Sequence, residues 1–369
     1  MEKLFLLFIK KKYLFKIIIN FIFLFFIFKI LFNKNKMIYL REKKKIKIGV
    51  VGVTHCLNIG NNLIKYAISL ILKELGFIPY IIGTNIENYN IKFVERNTNL
   101  VIIKKNFSEI KEKDYDILMV NSDQTWRKFD KHFYDYGFLR FASNWNKKKF
   151  IYGASGIEYW NFDKKEIKII KNLLKNFTGI SVREKGSVNL VEKYLNITPE
   201  VVIDPTLLID KKYYLYLIKD YPYNSYINDY IFIYSFSSYK KILEMKNFVN
   251  KASKILNYDI YQYPFNNKSI VEDFIYNISN CKAVVTSTFH GTLLSIIFNK
   301  PFITFTFNNK GKERLNSLGK LLSVENRFFT KDEKPDINLL TIPLNVNYSI
   351  IKELRKKSIN FIKKSLGLL

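Results

Sequence analysis

From Lys45 onward, short β-branched and aromatic runs alternate with longer stretches whose apolar positions recur at helical spacing, the pattern of βα units and parallel sheets. Ile46–Val53 (IKIGVVGV) reads as a buried first strand. Asn58–Gly60 then open a helix carrying Leu63, Ile64, Ala67, Ile68, Ile71, Leu72 and Leu75 on one face, with Gly76 as its stop. Strands follow at Phe77–Ile82, Asp116–Val120, Phe150–Gly153 and Gly179–Val182, with a helix at Lys164–Asn176. Around Asp204–Asn228 the regularity lapses into a Tyr-, Pro- and Asn-rich stretch, which predicts the interdomain connection.

A second series begins with a strand at Tyr230–Ser235, a helix at Tyr239–Leu256 and a strand at Tyr258–Tyr261. Ser269 and Glu272 have capping-box spacing and predict a helix running to Asn280. Ala283–Thr286 is the next strand, Thr292–Phe298 the next helix, Pro301–Phe305 another strand, and Ile350–Leu366 a closing amphipathic helix. The expected organisation is α/β: a Rossmann-like domain over 46–210, a second over 211–345, and a C-terminal helical segment over 346–369.

Composition changes this picture little. The formal charge of +28 invites a nucleic-acid reading, yet only eight of the 60 basic residues are arginine and the lysines are scattered along the chain. Scattered lysine argues against specific nucleic-acid recognition, while a positive field favours anionic substrates. The two cysteines, Cys56 and Cys281, show no CxxC or Cys/His spacing, which excludes a disulfide framework and an evident zinc site. No metal ligand set and no cofactor are expected.

The first 45 residues are hydrophobic and basic. Tyr13–Phe32 (YLFKIIINFIFLFFIFKILF) is long enough to span a bilayer, with Lys16 and Lys29 near its ends. Two readings stand: a membrane anchor, or a translated leader ahead of Met37. As an anchor, the basic residues that follow would leave the body in the cytoplasm, at the inner face of the membrane.

Ligands of open α/β sheets sit at the carboxyl ends of strands. Four polar clusters follow predicted strands. THCLNIGNN (54–62) offers Asn58 and Gly60 in a turn before a helix, where backbone N–H groups can hold an anion or simply make the turn. NSDQTW (121–126) gathers Asp123, able to accept a proton from a sugar hydroxyl, Gln124, and Trp126 with a flat face for a sugar ring; an Asx turn is the structural alternative. SVREKG (181–186) places Arg183 at a strand end, either to bind a carboxylate or phosphate or to pair with Glu184 or Asp204. STFHGT (287–292) puts His290 in a strand-to-helix turn, where its pKa class suits a general acid or base, beside Gly291, which would let backbone approach a ligand, and Thr292, at a helix start able to hold an anion. His55 and His132 lack that context.

These elements occur together in one order: NIGNNLIKYAI (58–68), NSDQTW (121–126), YGAS (152–155), SVREKGSVNLV (181–191), DPTLLI (204–209) and ISNCKAVVTSTFHGTLLSIIFNKPFI (278–303). In this the chain resembles the polysaccharide pyruvyl transferase family over Ile46–Leu322. The resemblance implies two Rossmann-like domains of the type-B glycosyltransferase kind, with the ligand cleft between them. It implies transfer of a pyruvyl group from phosphoenolpyruvate, as co-substrate, to a hydroxyl pair on a sugar or lipid-linked oligosaccharide in exopolysaccharide biosynthesis, giving a ketal. His290 matches the motif histidine as proton donor and acceptor. Arg183 first, and Arg314 (KGKER, 310–314) second, would meet the carboxylate and phosphate; Asp123 and Gln124 would contact the acceptor. Asn121 stands where many relatives have Gly, and Thr288 where some pyruvyl transferases carry an arginine. A nucleotide-sugar glycosyltransferase, with Glu272 or Asp273 as a ribose contact, and a non-catalytic glycan-binding protein are the alternatives.

Overall fold

The computed structural model of the protein describes residues 45–52, 58–84, 89–103, 106–128, 132–222, 228–235, 239–264, 270–307, 309–330 and 333–369. The expectations for Tyr13–Phe32, His55, Cys56 and Ser269 lie outside these residues.

The first half builds β1 (Lys47–Val51), α1 (Ile59–Glu74), β2 (Ile78–Thr84), α2 (Tyr89–Asn97), β3 (Asn99–Ile103), β4 (Ile117–Val120), α3 (Phe133–Phe138), β5 (Lys148–Ala154), α4 (Lys164–Leu174), β6 (Phe177–Val182), α5 (Ser187–Leu195) and β7 (Glu200–Val201). Its seven strands lie in the order β3-β2-β1-β4-β5-β6-β7, all parallel. The helix α1 starts where its cap chemistry directs: the Asn58 side chain accepts the Asn61 N–H at 3.3 Å. It stops at Gly76, whose φ of 88° is the left-handed conformation glycine adopts without strain.

The second half adds α6 (Lys211–Leu217), β8 (Tyr230–Tyr234), α7 (Tyr239–Leu256), β9 (Asp259–Gln262), α8 (Val271–Asn280), β10 (Ala283–Thr286), α9 (Phe289–Ile297), β11 (Phe302–Thr306), α10 (Asn309–Leu322), β12 (Phe328–Thr330) and α11 (Tyr348–Leu366). Its five parallel strands run β12-β11-β10-β8-β9. The fold is α/β with two Rossmann-like sheets. Residues Ile46–Leu369 form one unit, and a single apolar cluster draws Ile48, Leu63 and Tyr152 from the first half together with Phe232, Leu293 and Phe302 from the second. The helix α11 returns to the first sheet, where its Ser365 carbonyl accepts the Thr178 hydroxyl at 2.9 Å and its Leu366 carbonyl accepts Lys148 Nζ at 3.0 Å.

Each sheet reverses its winding once, at β1/β4 and at β8/β10, and ligands of such sheets bind where the order reverses. The segments after β4 and β10 carry Asp123 and His290.

Three expectations change. The helix after β10 starts at Phe289 rather than Thr292, because Thr288 caps it: its hydroxyl accepts the Gly291 N–H at 3.0 Å. His290, Gly291 and Thr292 are therefore in the first helical turn, not in a loop. The helix to Asn280 starts at Val271 with Ile270 as its cap residue, and no side chain caps it there. Trp126 is fully buried, stacked on Phe138 at 5.5 Å, with its indole N–H donated to the Gly137 carbonyl at 3.1 Å. Its ring faces the core and presents no surface to a sugar. Among the described residues no helix is long and apolar enough to cross a membrane.

The burial of Trp126 sets an expected outcome. Trp126→Ala removes a fully buried indole and should lower unfolding free energy by about 3–5 kcal/mol in urea denaturation. A surface-like loss under about 1 kcal/mol would contradict the placement.

Candidate active site

The strand ends converge on one guanidinium. Arg183 follows β6 with 8% of its surface exposed, and its fork meets carboxylates from three places in the chain. Nη1 lies 2.5 Å from Asp204 Oδ2, Nε 3.1 Å from Glu184 Oε1, and Nη2 3.7 Å from Asp123 Oδ1. Nη2 also donates to the Ser155 hydroxyl at 3.1 Å, which in turn donates to Glu184 Oε1 at 2.7 Å. Both structural pairs expected as alternatives for Arg183, with Glu184 and with Asp204, thus form.

Asp123 sits after β4 with φ of 86°, a left-handed conformation in which a non-glycine residue is strained. A parallel bridge to Ala154 and a hydrogen bond donated by Asn61 Nδ2 to Asp123 Oδ2 at 3.3 Å hold it there. Burial pushes its carboxyl pKa up, but Arg183, His290, Arg314 and the Asn61 amide outweigh burial and bring it below the ordinary value. Asp123 is therefore held ionised. Asp204 behaves the same way more strongly: burial opposes ionisation, and His290, Arg183 and Thr206 carry its pKa well below the carboxylate range. Glu158 moves the other way, raised chiefly by burial with Glu184 adding to it.

His290 comes from the other sheet. Thr286 donates its hydroxyl to the Tyr234 carbonyl at 2.6 Å, and Thr292 bonds the Thr288 carbonyl at 3.0 Å and the Thr304 hydroxyl at 2.8 Å. These threonines pin the start of α9 to β8, β10 and β11. From that fixed turn the His290 ring reaches the first half, with Nε2 3.7 Å from Asp204 Oδ2. The ring rests on Gly60 of α1: a Cβ there would fall 2.0 Å from Nδ1, so only glycine lets the two elements approach.

A cavity of about 640 Å³ opens beside this cluster, lined by Arg183, Glu184 and Asp204 from the first half and by Phe289, Leu293 and Arg314 from the second. The guanidinium of Arg183 lies 4.5 Å from the Phe289 ring centroid and that of Arg314 5.7 Å from it. Arg314 Nε is buried and lacks a hydrogen-bond partner among the described residues, as do Glu184 Oε2, Glu158 Oε1 and His290 Nε2. Buried polar atoms without partners are rare in folded proteins, and their concentration here sets this cluster apart.

The structure thus brings together Asp123, Arg183, His290, Gly60 and Arg314. Others it assigns elsewhere. Gly291 packs against its own cap, where a Cβ would meet Thr286 Oγ1 at 2.4 Å, so it opens no approach for a ligand. The Thr292 hydroxyl is fully buried and committed to α9 and β11, not to an anion. Asn58 caps α1, and Gln124 accepts from Arg127 Nη1 at 2.9 Å. Thr288 is the cap of α9, and Glu272 pairs with Arg96 at 2.6 Å. Asn61, Ser155, Glu158 and Phe289 join the site without having been singled out; Asn61 and Ser155 lie inside the NIGNN and YGAS stretches, the only signal pointing to them. Among the described residues no group of three or more His, Cys, Asp or Glu side chains is placed to hold a metal ion.

Among solved structures, a UDP-N-acetylglucosamine 2-epimerase from Listeria monocytogenes is similar at a TM-score of 0.52 and 10% identity, over 86% of this chain and 90% of that one. UGT89C1 from Arabidopsis thaliana, complexed with UDP-L-rhamnose, is similar at 0.51 and 9% identity, over 88% and 98%. At such identities the likeness is one of fold, the two-domain type-B architecture. No curated protein matches the chain significantly. The sequence model of polysaccharide pyruvyl transferases matches residues 58–309, a span that includes Gly60, Asp123, Arg183, Asp204 and His290. The chain belongs to the polysaccharide pyruvyl transferase family.

Proposed function

We propose that the protein transfers a pyruvyl group from phosphoenolpyruvate to two hydroxyls of one sugar in a cell-surface polysaccharide or its lipid-linked precursor, forming a pyruvate ketal. The observation that carries this reading is the cavity in which Arg183 and Arg314 flank Phe289, with Asp204 on its wall and His290 Nε2 3.7 Å from Asp204 Oδ2. A small, highly charged donor needs cations fixed in place and a proton source nearby.

The two arginines have different parts. Arg183 already meets three carboxylates, so its charge is offset within the protein. Arg314, whose buried Nε lacks a hydrogen-bond partner among the described residues, is the cation that receives the donor's carboxylate or phosphate. This reverses the order in which the sequence ranks them.

In the reaction, the His290 imidazolium protonates the methylene carbon of the enol, and the central carbon becomes electrophilic. The oxygen of one sugar hydroxyl bonds to that carbon, the bond to the phosphate oxygen breaks, and the second hydroxyl closes the ketal. Of the two hydroxyl protons, one restores His290 and one leaves with inorganic phosphate, so the step balances. Asp123, kept ionised, orients a hydroxyl through a hydrogen bond. Membrane association through residues 13–32 and a place at the inner face of the cytoplasmic membrane fit a lipid-linked acceptor.

Two variants test this. His290→Gln should lower kcat for phosphate release about a hundred- to ten-thousand-fold, with an unaltered circular dichroism spectrum. Turnover at the wild-type rate would remove His290 from the mechanism. Arg314→Gln deletes a charge-assisted contact and should raise the KM for phosphoenolpyruvate at least about tenfold. A wild-type KM would show that the donor binds elsewhere.

A further inference from the structure

We propose that Asp204 is a positioning residue that fixes the orientation of the His290 ring. The inference rests on the reading of His290 as the proton donor. Asp204 lies on the segment after β7 and is 2% exposed. Its Oδ1 accepts the Thr206 backbone N–H at 2.9 Å and the Thr206 hydroxyl at 2.7 Å, so the carboxylate cannot turn. Its Oδ2 accepts Arg183 Nη1 at 2.5 Å and faces His290 Nε2 at 3.7 Å. That nitrogen is buried with no hydrogen-bond partner among the described residues, so the fixed carboxylate is what it faces.

The surroundings of the ring fit the same role. On its other side α1 presents Gly60, which carries no charge. Asp123, the second carboxylate electrostatically coupled to His290, is negative as well. A carboxylate that orients an imidazole while remaining ionised is an established way to prepare a histidine for proton transfer. The arrangement also spans the two sheets, since His290 stands on α9 and Asp204 on the segment leaving β7. The proton donor is thus complete only when both are docked together.

The test is a histidine-selective nitrogen spectrum of the full chain, which contains three histidines, with His290→Gln assigning the resonance. Asp204→Asn should move the His290 ring-nitrogen resonances while His132 stays unmoved. In turnover, kcat should fall, changing more than the KM for phosphoenolpyruvate. An unmoved His290 resonance in folded Asp204→Asn overturns the proposal. Should that variant not fold, Thr206→Val loosens Oδ1 and keeps the charge. It should move the resonance the same way by a smaller amount, and no movement would again overturn the proposal. The spectrum needs no substrate, so a protein that never turns over phosphoenolpyruvate still answers the question about Asp204.

Discussion

The burial of one guanidinium governs the arrangement around it. Arg183 is removed from water and must be matched by anions with hydrogen-bonding geometry, because an unpaired buried charge costs several kcal/mol. The chain matches it with Glu184 next in sequence, Asp204 from the segment after β7, and Asp123 from the end of β4. The planar fork dictates where each carboxylate stands, so the carboxyl ends of three strands are held in mutual register by a single side chain. Lysine, a point charge on a flexible stem, could not impose that geometry.

The match is not one to one. Three carboxylates surround one guanidinium, and the depressed pKa values of Asp123 and Asp204 keep both ionised. From the second half, Arg314 adds positive charge that helps to keep Asp123 ionised, and the His290 ring faces Asp204. Electrostatics thus binds the two halves where the apolar cluster alone would specify no geometry, since hydrophobic contact is non-directional. The glycine at position 60 completes this by letting the His290 ring lie against α1.

Much of this was legible in sequence, and the gaps have identifiable causes. The βα alternation, the strand Ala283–Thr286 and the helix Tyr239–Leu256 follow from periodicity, which reports directly on burial. The start of α9 did not, because Thr288, Gly291 and Thr292 carry loop-like composition. The Thr288 hydroxyl instead caps the helix, accepting the Gly291 N–H, and the Thr292 hydroxyl ties it to the neighbouring strand. Trp126 looked like a ligand platform because a strand-end indole among polar residues has the same sequence signature whichever way the ring points. Arg183 was visible, but its charge balance was not: that depends on Asp123 and Asp204, 60 positions before it and 21 after it in the chain, meeting in space. Glu158 has no motif at all, and its raised pKa arises from burial, which sequence alone does not locate.

The surplus of carboxylates raises a physical question, since an anionic donor approaching them should be repelled. On the proposed reading the two sides of the site divide the work. Asp204, held by Arg183 and Thr206, is turned toward the imidazole and orients it. The donor's charge is met by Arg314, which lines the same cavity, and the chain's overall positive field of +28 favours its approach. Orienting the imidazole and binding an anion ask for opposite local charge, and a pocket of uniform sign could not provide both. Carboxylates from the first half and a guanidinium from the second let one cavity meet the two demands.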